Sequence, residues 1–167
     1  LRECGDFVQA RTACDIRRAK QEGKIAVMLA LEGVEPLMGN PEMLRAFYAL
    51  GVRIVGICWS RPNWAGDGSR LFDNDYVGYG LTAAGKRLVE MAGELDMLID
   101  VSHMNALTFH DTLAMGCAPL IASHSNTRQY ADTPRNLSDA QIVAIGKTGG
   151  VIGVNCASIL ADMDNPR

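Results

Sequence analysis

The sequence lacks the features that would place it in several large functional classes. Its longest apolar runs, 25–31 and 118–122, are far too short to cross a hydrocarbon layer of about 30 Å as a helix, so no membrane-spanning segment is expected. The 16 Lys and Arg against 19 Asp and Glu leave a formal charge of −3 with no basic cluster, which argues against a nucleic-acid partner. No Gly-x-Gly-x-x-Gly turn follows a strand-like run, so the usual dinucleotide cradle is missing. Cys4, Cys14, Cys58, Cys117 and Cys156 are odd in number and contain no Cys-x-x-Cys pair, which excludes a zinc ribbon. Cys58 and Cys156 lie in apolar runs and read as small buried hydrophobes, and the pattern favours a reducing, cytoplasmic setting. The N-terminus has neither an initiator Met nor a basic stretch leading into an apolar one, so the chain reads as trimmed.

What remains is an apolar-rich chain of alternating elements. With 48% of its 167 residues hydrophobic it is long enough for one sizeable core, and a single domain over 1–167 is expected. Residues 9–22 have helical spacing and stop at Gly23. Residues 24–31 form a near-continuous apolar run, the mark of a strand covered on both faces, and end in Glu32 and Gly33. Asn40 and Pro41 open a helix through Leu50. Strands are expected at 52–58, 96–101, 118–123 and 150–155, and further helices at 82–95, 105–115 and 138–147. Such alternation predicts βαβ units and a parallel sheet. A long polar loop follows Cys58 to about Gly80, and its residues 63–79 read as a rim, a lid or ordinary solvated chain.

The polar strand endings separate an open doubly wound sheet from an arc of a (β/α)8 barrel. Glu32, His103 and His124 each follow an apolar run, at the strand end where barrel enzymes place their chemistry. One carboxylate and two neutral imidazoles suit zinc with a position left open for water. Taken singly, each has a dull explanation as a hydrogen-bonded or capping residue; jointly they carry weight, because two of only three histidines end strands on the same face. His110, mid-helix beside Asp111, is set aside. Asp100, three residues before His103, is a candidate to orient a ligand by hydrogen bonding.

Four stretches resemble the membrane (renal) dipeptidases, zinc peptidases that hydrolyse dipeptides. They are Glu22-Gly-Lys-Ile-Ala-Val-Met-Leu-Ala-Leu-Glu32-Gly33, Gly80-Leu-Thr-Ala-Ala-Gly85, Met97-Leu-Ile-Asp-Val-Ser-His103, and Ile121-Ala-Ser-His124-Ser125 followed by Pro134-Arg135-Asn136. The resemblance implies an α/β fold, a partial TIM-like (β/α)8 barrel of about five βα units. It also implies two zinc ions bridged by Glu32, the second held by His103 and His124, and a substrate-binding role for Arg135, whose guanidinium can grip a carboxylate. The partner implied is a dipeptide; a homo-oligomer is a further expectation, with no residue of the sequence pointing to it. The chain departs from the family in having no His-x-Asp pair before Glu32 and no late-strand acid-base Asp, so a central fragment, inactive alone, is expected. It also carries Trp59 where relatives place a substrate-binding His; Trp59 and Trp64 are candidate pocket walls. The competing readings are another amidohydrolase-type metal hydrolase, such as a lactonase or deaminase, and a metal-poor, inactive fragment.

Overall fold

A computed structural model describes residues 5–117 and 119–161. Cys4 and Ala118, which entered the expectations above, lie outside the described residues. The described residues form two parallel sheets. The smaller pairs β1 (Phe7–Gln9) with β2 (Ile25–Val27) around helix α1 (Ala13–Gln21). Helix α1 starts where Thr12 and Asp15 form a reciprocal capping box, which satisfies otherwise orphaned backbone donors.

The larger sheet holds β3 (Leu29–Glu32), β4 (Val52–Gly56), β5 (Leu98–Asp100) and β6 (Leu120–Ile121), in the order of the chain and all parallel. Steady progression to one side, with a helix or loop between neighbours, is how a (β/α)8 barrel grows; a doubly wound sheet reverses its order at a switch point. The fold is therefore a parallel α/β arc, a partial barrel. Helix α2 (Leu44–Leu50) follows a 3-10 turn at Pro41–Met43 and ends at Gly51, whose φ of 106° only glycine adopts freely. Helices α3 (Ala83–Glu94), α4 (Ala106–Met115) and α5 (Asp139–Lys147) begin at Thr82, Asn105 and Ser138, each accepting a backbone N–H of its own first turn. A last short helix, α6, spans Ser158–Ala161. Val55 and Ile99 from the sheet pack with Leu88, Met91 and Phe109 from the helices in one buried cluster.

Three strand expectations need correction. The run 24–31 is split into β2 and β3, which belong to different sheets, and it is not covered on both faces: Ile25 is exposed, as are Ala30 and Glu32. The reason is position, since among the described residues β3 sits at the edge of its sheet with β4 as its sole hydrogen-bonded neighbour. The segment 150–155 forms no strand; Ile152 makes a single parallel bridge to Ala122, while Val151 and Val154 are exposed. Cys156, expected inside an apolar strand, is consequently exposed, whereas Cys58 is buried and its thiol is pushed up to about 12 by that burial, with help from the charges of Asp67 and Glu35. That keeps Cys58 an inert thiol.

The loop after β4 is buried at 65–69 and exposed at 72–75 and 77–79, and its Trp59, Ser60 and Leu71 line the cleft described below. Asp67 is fully buried and its carboxylate accepts from the Tyr76 hydroxyl at 2.7 Å and the Tyr79 N–H at 3.3 Å. Asn105 and Thr108 of α4 bond the same loop's backbone. At Gly68 the loop doubles back so closely that an added Cβ would lie 1.9 Å from the Trp59 carbonyl oxygen, so only glycine fits.

Candidate metal centre

Sheet register sets the geometry of the cleft. Glu32 lies opposite Gly56, Gly56 opposite Asp100, and Asp100 opposite Ile121. His103 and His124 stand the same three residues beyond Asp100 and Ile121, so neighbouring strands deliver two imidazoles to one place. Glu32 Oε1 lies 3.0 Å from His103 Nε2 and 3.1 Å from His124 Nε2, and the two Nε2 atoms are 2.9 Å apart. The three donors fall within 4.8 Å of one another, a candidate metal-binding trio.

His103 occupies a left-handed backbone conformation, φ 73°, which costs a side-chain-bearing residue about 1–3 kcal/mol. The turn is held by Ser69, whose N–H donates to the His103 carbonyl at 2.7 Å, and by the Met104 N–H donating to Val101 at 3.1 Å. The imidazole is buried, and desolvation, then the charges of Arg135 and His124, depress its pKa from 6.5 to about 3, Asp100 acting in the opposite direction. His103 is thus neutral at physiological pH, the form a metal requires, and its contact with Glu32 is a hydrogen bond instead of an ion pair. His124 is more open, with a side chain 32% exposed. Its Nδ1 lies 2.6 Å from Ser123 Oγ, which in turn donates to Asp100 Oδ2. Asp100 Oδ1 also accepts the N–H groups of Ser102 and Ser123, both at 3.0 Å, locking the carboxylate in place.

Arg135 is buried, 4% exposed, where a surface cation would have been the dull expectation. Burial lowers its pKa to about 10, against the raising influence of Asp100 and Glu32, so it remains charged at neutral pH. It donates from Nε to His103 Nδ1 at 3.1 Å, from one terminal nitrogen to Ser125 Oγ at 2.8 Å and from the other to the His124 carbonyl at 2.9 Å. The cleft has a volume of about 390 Å³ and is lined by Glu32, Trp59, Ser60, His103, His124 and Arg135, with Leu71 and residues around Leu160 in the rest of its wall. A larger apolar cavity of about 440 Å³ beside Ile142 and Ile152 has no charged side chain in its wall.

Of the residues singled out in the sequence, Glu32, His103, His124, Arg135 and Trp59 share this cleft, and Asp100 stands behind it. Trp64 does not: its indole N–H donates to the Val34 carbonyl at 3.0 Å and its ring packs on the core. His110 is exposed on α4, away from the cleft. Two serines escaped notice. Ser60 lies 2.8 Å from His103 Nδ1, and Ser123 links Asp100 to His124. Ser123 had a signal, lying two residues beyond the partner of Asp100 and so on the same side of the sheet; Ser60, in an irregular loop, had none.

A parallel barrel arc thus brings a Glu-His-His donor set and a buried arginine together beyond its strand ends, a candidate metal centre. Comparison with known proteins supplies the particular lineage. The chain matches the membrane dipeptidase family (peptidase family M19) over residues 2–165, and it belongs to that family. It is similar to the crystal structure of a metallopeptidase from Rhodobacter sphaeroides, with a TM-score of 0.92 and 35% identity, over 99% of this chain and 48% of that one. It is 40% identical over 158 residues to an uncharacterized protein in the pqqA 5' region of Klebsiella pneumoniae, covering 93% of this chain and 58% of that protein. Dipeptidase 3 of Mus musculus is 31% identical over 92% of this chain and 31% of its own length. The chain therefore spans between about a third and three fifths of the relatives it matches.

Proposed function

We propose that the protein is a zinc-dependent dipeptidase that hydrolyses the peptide bond of dipeptides through a metal-activated water. The observation that carries the reading is the convergence of Glu32 Oε1, His103 Nε2 and His124 Nε2 to about 3 Å of one another, inside a family of dipeptidases. The donor set fits zinc: an anionic oxygen, a neutral imidazole and a second imidazole whose Nδ1 is already engaged, leaving its Nε2 toward the cleft. Glu32, His103 and His124 would supply the oxygen and the two nitrogens that hold the metal, Glu32 being the carboxylate that the family resemblance would assign to both ions. A bound metal supplies Lewis-acid polarisation of the scissile carbonyl and lowers the pKa of a coordinated water toward neutrality.

The remaining work falls to protein groups. Arg135 presents donors beside the trio and grips the substrate carboxylate, a task its planar fork performs better than an ammonium would. Trp59, its ring 5.6 Å from that of His103, forms the wall against which the substrate side chain packs. Apart from Glu32 no carboxylate lines the cleft among the described residues, so the proton for the departing amine is not supplied by these groups, and the chain alone is expected to turn over poorly or not at all.

The Rhodobacter relative is liganded with a phosphinate mimic of L-Ala-D-Ala, which makes that dipeptide a natural first probe. In the full-length protein, L-Ala-D-Ala hydrolysis is expected to disappear with a chelator and return with zinc. Turnover that survives metal removal would sink the reading.

A further inference from the structure

Outside the cleft, a second pocket of about 240 Å³ lies where three segments meet: the loop after β4, the start of α4, and the chain between β6 and α5 with the first turn of α5. It shares no wall residue with the cleft. Its wall carries two guanidiniums, Arg70 and Arg128, and no carboxylate, in a chain whose formal charge is −3. Arg70 sits over the Tyr76 ring, 3.8 Å from its centre, and the Tyr76 hydroxyl donates to the buried Asp67 carboxylate, so the guanidinium is tethered to the core. Its contact with Asp73, 3.9 Å long and half exposed, is too weak to neutralise it. Arg128 donates from Nε to the Asn136 carbonyl at 3.3 Å, and neither of its terminal nitrogens has an acceptor among the described residues.

Two further features belong to the same wall. Helix α4, 10 residues long, begins there, with Ala106 and Leu107 lining the pocket. Asn105 caps the Thr108 N–H, so the first two N–H groups of the helix, at the positive end of its dipole, have no acceptor among the described residues. Ser69 also lines the pocket; it is 1% exposed, and its hydroxyl has no hydrogen-bond partner among the described residues. A buried hydroxyl without a partner is costly and rare. A helix start, two cations and an unsatisfied hydroxyl, brought together from separate segments, make the donor set of an oxyanion. Donors from three segments suit a tetrahedral anion better than a planar carboxylate, and two guanidiniums balance a dianion. We propose that this pocket binds a phosphate group, free or at the end of a small phosphate ester, and that the bound group braces three segments that also carry cleft residues. The bracing follows from the attachments: the Ser69 N–H donates to the His103 carbonyl at 2.7 Å, Asn105 follows His103 by two residues, and Pro134 precedes Arg135. The inference is independent of the metal reading and of which bond is hydrolysed.

The test uses the full-length protein with inorganic phosphate as the probe and glycerol 3-phosphate and acetate beside it, read by calorimetry and thermal melting. Phosphate is expected to bind saturably and to raise the melting temperature as its concentration rises; no saturable binding overturns the proposal. The tighter of phosphate and glycerol 3-phosphate names the source of the group. Acetate, with one charge to set between two guanidiniums, is expected to bind about tenfold more weakly, and equal binding overturns the assignment to phosphate. Arg70→Gln and Arg128→Gln should each weaken phosphate about tenfold, the loss of a charge-assisted hydrogen bond. Ser69→Ala gives a reading that a folding defect does not imitate. It removes an unpartnered buried hydroxyl, so the melting temperature in phosphate-free buffer is expected to hold or rise while the shift produced by phosphate shrinks. A full shift in Ser69→Ala, or undiminished binding in both arginine variants, rejects the site. Arg135→Ala separates this pocket from the cleft: binding that is lost with Arg135 and kept in Arg128→Gln puts the phosphate in the cleft and overturns the proposal. If phosphate binds as described and no dipeptide is hydrolysed, only the functional reading falls.

Discussion

His103 and His124 occupy equivalent places on adjacent strands, yet the fold treats them differently. His103 is buried, sits on left-handed backbone and faces the polar side chains of Ser60 and Arg135. His124 is partly open and is backed by an acceptor chain through Ser123 to Asp100. Register alone therefore brings two imidazoles together, while the loops decide what each imidazole is prepared to do. The His124 side is preorganised for a cation; the His103 side is coupled to the arginine.

The most damaging change should strike the His124 side. Asp100→Ala removes the acceptor of two backbone N–H groups and of the Ser123 hydroxyl in a site only 8% exposed, so about 3–5 kcal/mol of stability should be lost. Urea denaturation measures it, and equilibrium dialysis should show zinc affinity falling as well. A stable, metal-competent Asp100→Ala protein would erase the contrast between the two histidines.

The next effect belongs to His103 and is read without metal. The unfolded chain binds this proton near pH 6.5, the folded one near 3, so between those values acid favours unfolding. The stabilisation is complete above about pH 6.5 and is lost as the pH falls toward 3. Up to about 2 kcal/mol should disappear between pH 6 and pH 4.5, measured by denaturation midpoints, and His103→Gln should flatten that part of the profile. An identical acid slope in the variant would assign the sensitivity elsewhere.

Arg135→Ala separates binding from metal capture. In the full-length enzyme KM should rise about tenfold, the worth of one charged hydrogen bond, while zinc affinity stays at or above the wild-type value because a cation and a competing donor have gone. A fall in zinc affinity equal to that of Asp100→Ala would place both residues in one supporting role.

Much of this was legible in the sequence because it depends on local chemistry. The caps at Thr82, Asn105 and Ser138, the glycine stop after α2, and the apolar runs leading to Glu32, His103 and His124 mark elements and their polar ends. Strand continuity was less legible. The run 24–31 looks unbroken, but its halves pair with different neighbours, and 150–155 is apolar without being a strand, because pairing is a property of what lies alongside. The polarity of the site was hidden for a similar reason: Ser60 and Arg135 reach His103 from 43 and 32 positions away, by routes that no periodicity encodes.

The smallest expected effect tests whether Trp59 shapes His103 or merely lies near it. The indole is 48% exposed, so Trp59→Ala should change stability by no more than about 0.5 kcal/mol. Its ring nevertheless lies 5.6 Å from that of His103, and both side chains line the cleft. Desolvation is the leading cause of the depressed His103 pKa, so opening that wall should let the value climb from about 3 back toward 6.5. An NMR titration of the metal-free variant reads this directly, and the acid loss of stability should shrink in step with the rise. A pKa that does not move would assign the dehydration of His103 to the other groups of the cleft wall, Leu71 and Arg135 among them.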